Sequence, residues 1–151
     1  MIFTLENIIN NLAGVLKAQY PDYPVYDSPN QQGTKYPCFF IFFMPSEISG
    51  QIDGRFLRDL GVDIVFVQQR NIVNGNKEIY EIADYLDEVL ELFAYSDENG
   101  ASGLIRTFEH QWQNEDQELH YKFHIRERVY ISRQQIPMEI LEEDRTYVKK
   151  Q

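Results

Sequence analysis

The chain has 151 residues, the size of one compact domain at about 100 to 150 residues each. Its 43% hydrophobic and 25% charged residues are the balance of a globular protein able to bury a core. The formal charge of −10 sits in one segment: residues 76–118 hold Lys77 and Arg106 against twelve carboxylates, and the rest of the chain is balanced. With no Lys/Arg cluster the chain is unsuited to wrapping duplex DNA, because phosphate neutralisation supplies most non-specific affinity.

Thr4 is a capping residue for a helix over 5–19, whose Leu5, Ile8, Ile9, Leu12, Val15 and Leu16 recur at the spacing of one helical face. Pro21 and Pro24 stop it, Val25-Tyr26 starts a short extended piece, and Asp27 to Lys35 reads as a loop. The apolar run Cys38 to Met44, bounded by Pro37 and Pro45, predicts a strand buried on both faces. Over 55–69 the period becomes two, with Leu60, Val62, Ile64 and Phe66 on one face and Asp59, Gly61 and Asp63 on the other. After Asn74-Gly75-Asn76, a stripe from Ile79 to Phe93 predicts a helix over about 77–94, with Glu78, Glu81, Asp84, Asp87, Glu88 and Glu91 as a solvated outer face.

A loop over 96–103 precedes two strands, 104–112 and 118–131, joined through the turn Gln113 to Gln117. On the second, Leu119, Tyr121, Phe123, Ile125, Val129 and Ile131 share a face; His120, Lys122, His124, Arg126 and Arg128 share the other. Beyond Ser132 the periodicity fades. The apolar patch Ile136 to Leu141, within a charged tail, predicts an extended arm. The expected architecture is α+β: an antiparallel or mixed sheet of four to five strands, two helices packed on one face, a domain over 1–131 and a C-terminal arm over 132–151.

Chemistry-bearing motifs are sparse. His120 and His124 are four residues apart on a strand, so their α-carbons lie roughly 13 Å apart, too far to share one metal ion. A hairpin closing with 112 opposite 118 would instead set His110 against His120 as a cross-strand pair, with Glu118 as a further ligand, although a polar sheet face is the simpler expectation. Cys38, the single cysteine, lies in the most apolar run and is expected to be an inert small hydrophobe; its solitude rules out an intrachain disulfide and suits a reducing cytoplasm. The chain contains no Gly-rich phosphate loop, G-x-S-x-G or H-E-x-x-H, so no cofactor and no enzymatic reaction is expected. No run approaches the ~18 apolar residues of a membrane span, and the first residues lack the basic-then-apolar layout of a signal peptide.

The order of elements carries more information than any single motif. The Thr4-capped helix, Tyr23-Pro24-Val25-Tyr26, the strand opening Tyr36-Pro37-Cys38-Phe39-Phe40-Ile41, the strand opening Arg55-Phe56-Leu57-Arg58, the helix Ile79 to Leu86 and the hairpin ending Leu119 to Ile125 follow one another over residues 1–131. In this order the chain resembles the bacteriophage and prophage tail terminator, or tail completion, proteins. The resemblance implies a structural protein that caps the head-proximal end of the tail tube, stops its polymerisation and offers the head-joining surface. It also implies a hexameric ring whose subunits can be monomeric when isolated. The implied partners are further copies, the tail tube protein and the head–tail connector, with DNA passing through unbound; the implied location is the virion tail, assembled in the host cytoplasm. A head–tail connector or other minor tail protein, or a host cytoplasmic binding module, are the alternatives. Candidate interface residues are Lys122, Arg126 and Arg128 on the basic strand and Ile136, Met138, Ile140 and Leu141 in the arm, since complementary charge sets register between neighbours in a ring.

Overall fold

The protein, in a computed structural model that describes residues 2–28, 33–50 and 55–130, is a mixed sheet with two helices on one face. Helix α1 (Leu5–Gln19) begins where the Thr4 hydroxyl accepts a hydrogen bond from the Asn7 amide at 3.2 Å, satisfying one of the orphan donors of the first turn. Its Ile8, Leu12 and Leu16 are buried, and it ends before Pro21, whose ring cannot continue a helix. Helix α2 (Gly75–Leu90) buries Ile79, Ile82, Ala83, Leu86 and Leu90 in the same core.

Seven strands are present among the described residues, more than the four or five expected: β1 (Val25–Tyr26), β2 (Cys38–Phe43), β3 (Glu47–Gly50), β4 (Arg55–Val67), β5 (Leu92–Ser96), β6 (Ser102–Glu115) and β7 (Glu118–Tyr130). The sheet order is β1-β2-β4-β7-β6-β5, with β3 also on β4, and only β1 and β2 run parallel. The central pair is β4 with β7, in register from Arg55 opposite Tyr130 to Val67 opposite Glu118. The core lies between this pair and the helices: Leu60, Val62, Ile64 and Phe66 of β4 meet Ile125, Phe123, Tyr121 and Leu119 of β7, joined by Phe39 and Ile41 of β2.

Three expectations need correction. Helix α2 stops at Leu90 because the burial period there changes from helical to two: Phe93 and Tyr95 are buried while Leu92, Ala94 and Ser96 are exposed, so 92–96 is a strand. The hairpin closes through two residues, Asp116 and Gln117, both in the left-handed region at φ 51 and 64, as a tight hairpin of type I′ sense requires. The β6–β7 register is therefore Glu115 opposite Glu118 and Trp112 opposite Tyr121, with the mismatch absorbed by a bulge between Phe108 and Gln111 in which Glu109 has φ 56. His120 consequently faces Gln113, and His110 sits in the bulge, where its Nε2 meets the Thr107 hydroxyl. The proposed His110–His120 pair does not form.

The β5 margin of the sheet is tied to α1. The Asn11 carboxamide accepts from the Ser96 amide at 3.1 Å and donates to the Ser96 carbonyl at 2.9 Å, and Asn7 donates to the same carbonyl at 3.0 Å. A side chain thus occupies the backbone positions an added strand would use.

Gly61 marks a close approach on the other face of β4. A β-carbon there would lie 2.9 Å from Met44 Cε and 3.0 Å from Met44 Cβ, and Met44 donates its amide to the Gly61 carbonyl at 2.9 Å. Gly61→Val should lower stability by about 1–3 kcal/mol through overpacking, with Gly61→Ala costing less, as read from urea midpoints at unchanged slope.

Candidate assembly surface

The face of the sheet away from the helices is formed by the outward residues of β4, β7 and β6. Alternation brings Asp59 and Asp63 of β4 to the same face as His120, Lys122, His124, Arg126 and Arg128 of β7, with Asp59 directly opposite Arg126 and Asp63 opposite Lys122. The basic strand is thereby laid beside carboxylates of its own chain.

Two clusters result. In the first, Asp59 accepts from His124 Nδ1 at 2.8 Å and from Arg126 Nε at 3.2 Å, while Glu109, projected by the bulge, lies 3.0 Å from Arg126 Nη2 and 3.6 Å from His124 Nε2. The Arg126 guanidinium also lies over the Phe108 ring at 5.0 Å. In the second, His120 Nδ1 donates to Asp63 at 3.2 Å and its Nε2 lies 3.5 Å from Glu118. Burial alone would raise the Asp59 carboxyl, but the hydrogen bonds from His124 and Arg126 and their charges outweigh it and hold the group below its ordinary value.

The candidate residues therefore separate. Arg126 is held on both sides by Asp59 and Glu109. Lys122 and Arg128 form no ion pair among the described residues, and Arg128 is exposed. Ile136, Met138, Ile140 and Leu141 lie outside the described residues, as does the arm as a whole.

The opposite side of the subunit carries the acidic helix. Its carboxylates are not uniformly solvated: Glu78 accepts from the Tyr23 hydroxyl at 2.7 Å and Asp87 from the buried Tyr121 hydroxyl at 2.6 Å. Burial, then the hydrogen bond and charge of Glu78, push the Tyr23 hydroxyl up to about 12. Glu81 and Glu91 lie at 4.0 and 3.7 Å from Lys77 and Arg106, while Asp84 and Glu88 are exposed. Among the described residues, the unpaired Lys122 and Arg128 of the sheet face thus stand opposite in sign to the exposed Asp84 and Glu88 of α2.

No group of three His, Cys, Asp or Glu side chains among the described residues is placed to hold a metal ion. Cys38 is buried, and burial, with the nearby Glu118 charge, pushes its thiol up to about 11, so it is protonated at neutral pH. No described helix is long and apolar enough to cross a membrane.

Compared with known protein families, residues 7–137 match a family model described as phage tail terminator protein. No curated protein matches the chain.

Because Asp59 is depressed in the folded chain, its contribution to stability is present above the ordinary carboxylate range near ~4 and is lost as pH falls through the folded value. Asp59→Asn should therefore be less stable than the parent at neutral pH, and the difference should shrink as the pH is lowered below about 4. Thermal melts of both chains between neutral pH and acid measure this; a gap that stays constant would mean that Asp59 acts by shape alone.

Proposed function

Because the chain belongs to the phage tail terminator family, we propose that it caps the head-proximal end of the tail tube as a hexameric ring, stops tube polymerisation and provides the head-joining surface. The family match over most of the chain carries this reading. The surface supports it: a subunit in a closed ring meets its two neighbours through different patches, and this chain offers Lys122 and Arg128, unpaired among the described residues, on one broad face and exposed Asp84 and Glu88 on the other. Opposite signs at the two patches favour head-to-tail contact and fix register, with modest gain in affinity. Partners in this reading are further copies of the chain, the tube protein and the head–tail connector, and DNA passes the ring without being held; the location is the virion tail. The reading contains no catalytic step and no cofactor.

Deleting the gene from its parent phage or prophage and imaging the lysate tests the role directly. DNA-filled heads beside unattached tails of unregulated length, rescued by the protein in trans, are expected. Tails of normal length that merely fail to join heads would assign the chain to the connector instead, and intact infectious particles would discard the structural role.

Charge reversal isolates the surface. Lys122→Glu with Arg128→Glu changes positions that hold no ion pair among the described residues, so folding should persist while rescue falls by at least tenfold, scored as plaque-forming particles. Arg126→Glu differs in kind: it sets a third carboxylate between Asp59 and Glu109 and should lower the melting temperature of the isolated chain. If both variants behave alike, the separation of Arg126 from Lys122 and Arg128 is wrong.

A further inference from the structure

Strand β5 covers the outer margin of β6 only over Ser102 to Arg106. Past the bulge between Phe108 and Gln111, β6 runs on to Glu115, paired with β7 on one side and with no strand on the other among the described residues. The register fixes which backbone groups this open margin presents. In a two-residue hairpin the flanking pair, Glu115 and Glu118, exchanges both ladder hydrogen bonds, and such pairs recur at every second residue, at Gln113 with His120 and Gln111 with Lys122. Trp112 and Asn114 therefore turn their N–H and C=O groups away from β7, and the stretch Gln111 to Gln113 is exposed. The Asn11 side chain that closes β5 has no counterpart here among the described residues, and Gln111 to Glu115 includes neither proline nor lysine, the residues that commonly blunt such a row.

The side chains along this margin define what fits it. On the helix side of the sheet the Trp112 and Tyr80 rings stand 5.9 Å apart, 42% and 48% exposed, and aromatic pairs of this kind are the usual anchors of protein contacts. Asn114 donates to the Asn76 side chain at 2.9 Å, which ties the hairpin to the first turn of α2 and holds the two rings in place. The surroundings are acidic. Asp84, one helical turn from Tyr80, is exposed, as are Glu115 and Asp116 at the hairpin; at the bulge Asp87, Glu91 and Glu109 line one hollow with Arg106 and His110. All belong to the segment 76–118, whose two cations, Lys77 and Arg106, already lie beside Glu81 and Glu91.

We propose that the β6 margin at Trp112 and Asn114 is a strand-addition site for an extended cationic segment of another protein, one in which apolar side chains alternate with Lys or Arg. Backbone hydrogen bonds to Trp112 and Asn114 supply affinity, and the alternation supplies selectivity. Side chains of the added strand on the helix side rest on Trp112 and Tyr80, and those on the other side lie beside Gln113 and Glu115. Complementary charge favours this occupant over a second copy: β3 reads Glu47-Ile48-Ser49-Gly50 without a cation, and β1 has only two residues to offer. The site is complete on the isolated subunit and does not depend on the tail-terminator role.

Trp112 is the single tryptophan of the chain, so its emission reports on the site directly. In the purified full-length chain, a blocked peptide of alternating lysine and valine should shift that emission to the blue in a saturable way and slow hydrogen exchange at the Trp112 and Asn114 amides. Two control peptides separate the causes. Replacing valine by N-methylvaline removes the donors that face Trp112 and Asn114 while keeping the charge, and replacing lysine by glutamate reverses the charge while keeping the donors; each should bind roughly tenfold or more weakly. On the protein side, Asn114→Pro removes an outward N–H that takes no part in the β7 ladder and should weaken binding with circular dichroism unchanged. Emission that does not move up to about 1 mM peptide, or equal binding of the N-methylated peptide, would overturn strand addition. Equal binding of the glutamate peptide would overturn the cationic partner. A blue shift that grows with protein concentration alone, with dimers in sedimentation, would give the margin to a second copy instead.

Discussion

The fold depends on the register of β4 against β7. Thirteen consecutive residue pairs place Leu60, Val62, Ile64 and Phe66 with Ile125, Phe123, Tyr121 and Leu119 on one side, and Asp59 and Asp63 with Arg126 and Lys122 on the other. A slip of one residue would turn the four apolar pairs to water and drive the aspartates under the helices, a cost no other contact in the molecule could offset. The pairing is thus fixed twice, by burial on one face and by opposite charge on the other. Every remaining element attaches to it: β2, with β1 beyond it, and β3 on the outer margin of β4, β6 and then β5 beyond β7, and both helices across the apolar face.

This double specification explains which parts of the fold were legible in the sequence. Helix α1 shows itself through a capping threonine and a three-and-four stripe, and β4 and β7 through strict alternation, because long regular elements with one buried face must carry that period. The short strands are hidden. Two residues in β1 and four exposed ones in β3 contain too few positions to show a period, and β5 directly follows α2, so that Phe93 can be counted in the helical stripe although it belongs to the strand. The hairpin register was not legible either, since two non-glycine residues, Asp116 and Gln117, adopt left-handed backbone and Glu109 absorbs the offset in a bulge.

The surface was legible in part. The alternation of His120, Lys122, His124, Arg126 and Arg128 identified the face, but not that β4 would place carboxylates against it. The signal was present: Asp59 and Asp63 are four residues apart, as are His120 and His124, and matched spacings on two strands signify pairing when the strands are neighbours. What remained after pairing, Lys122 and Arg128, is a smaller and more discrete feature than a basic strand. The acidic helix was reduced in the same way, because Tyr23 and Tyr121 use Glu78 and Asp87 as acceptors for hydroxyls that would otherwise be stranded at the core boundary.

The amide of Asn11 locked onto Ser96 constrains how copies of this chain can be joined. Joining one sheet to the next in a continuing series needs two available margins on each subunit, one to give and one to receive. Here α1 lies along β5 and holds its end; at the opposite margin, among the described residues, the two-residue β1 pairs only with β2 and β3 only with β4. Among the described residues, strand addition is thus hindered along β5 and not at the opposite margin. Contacts between broad faces differ in kind, because their angles are set by side chains and not by a strand ladder.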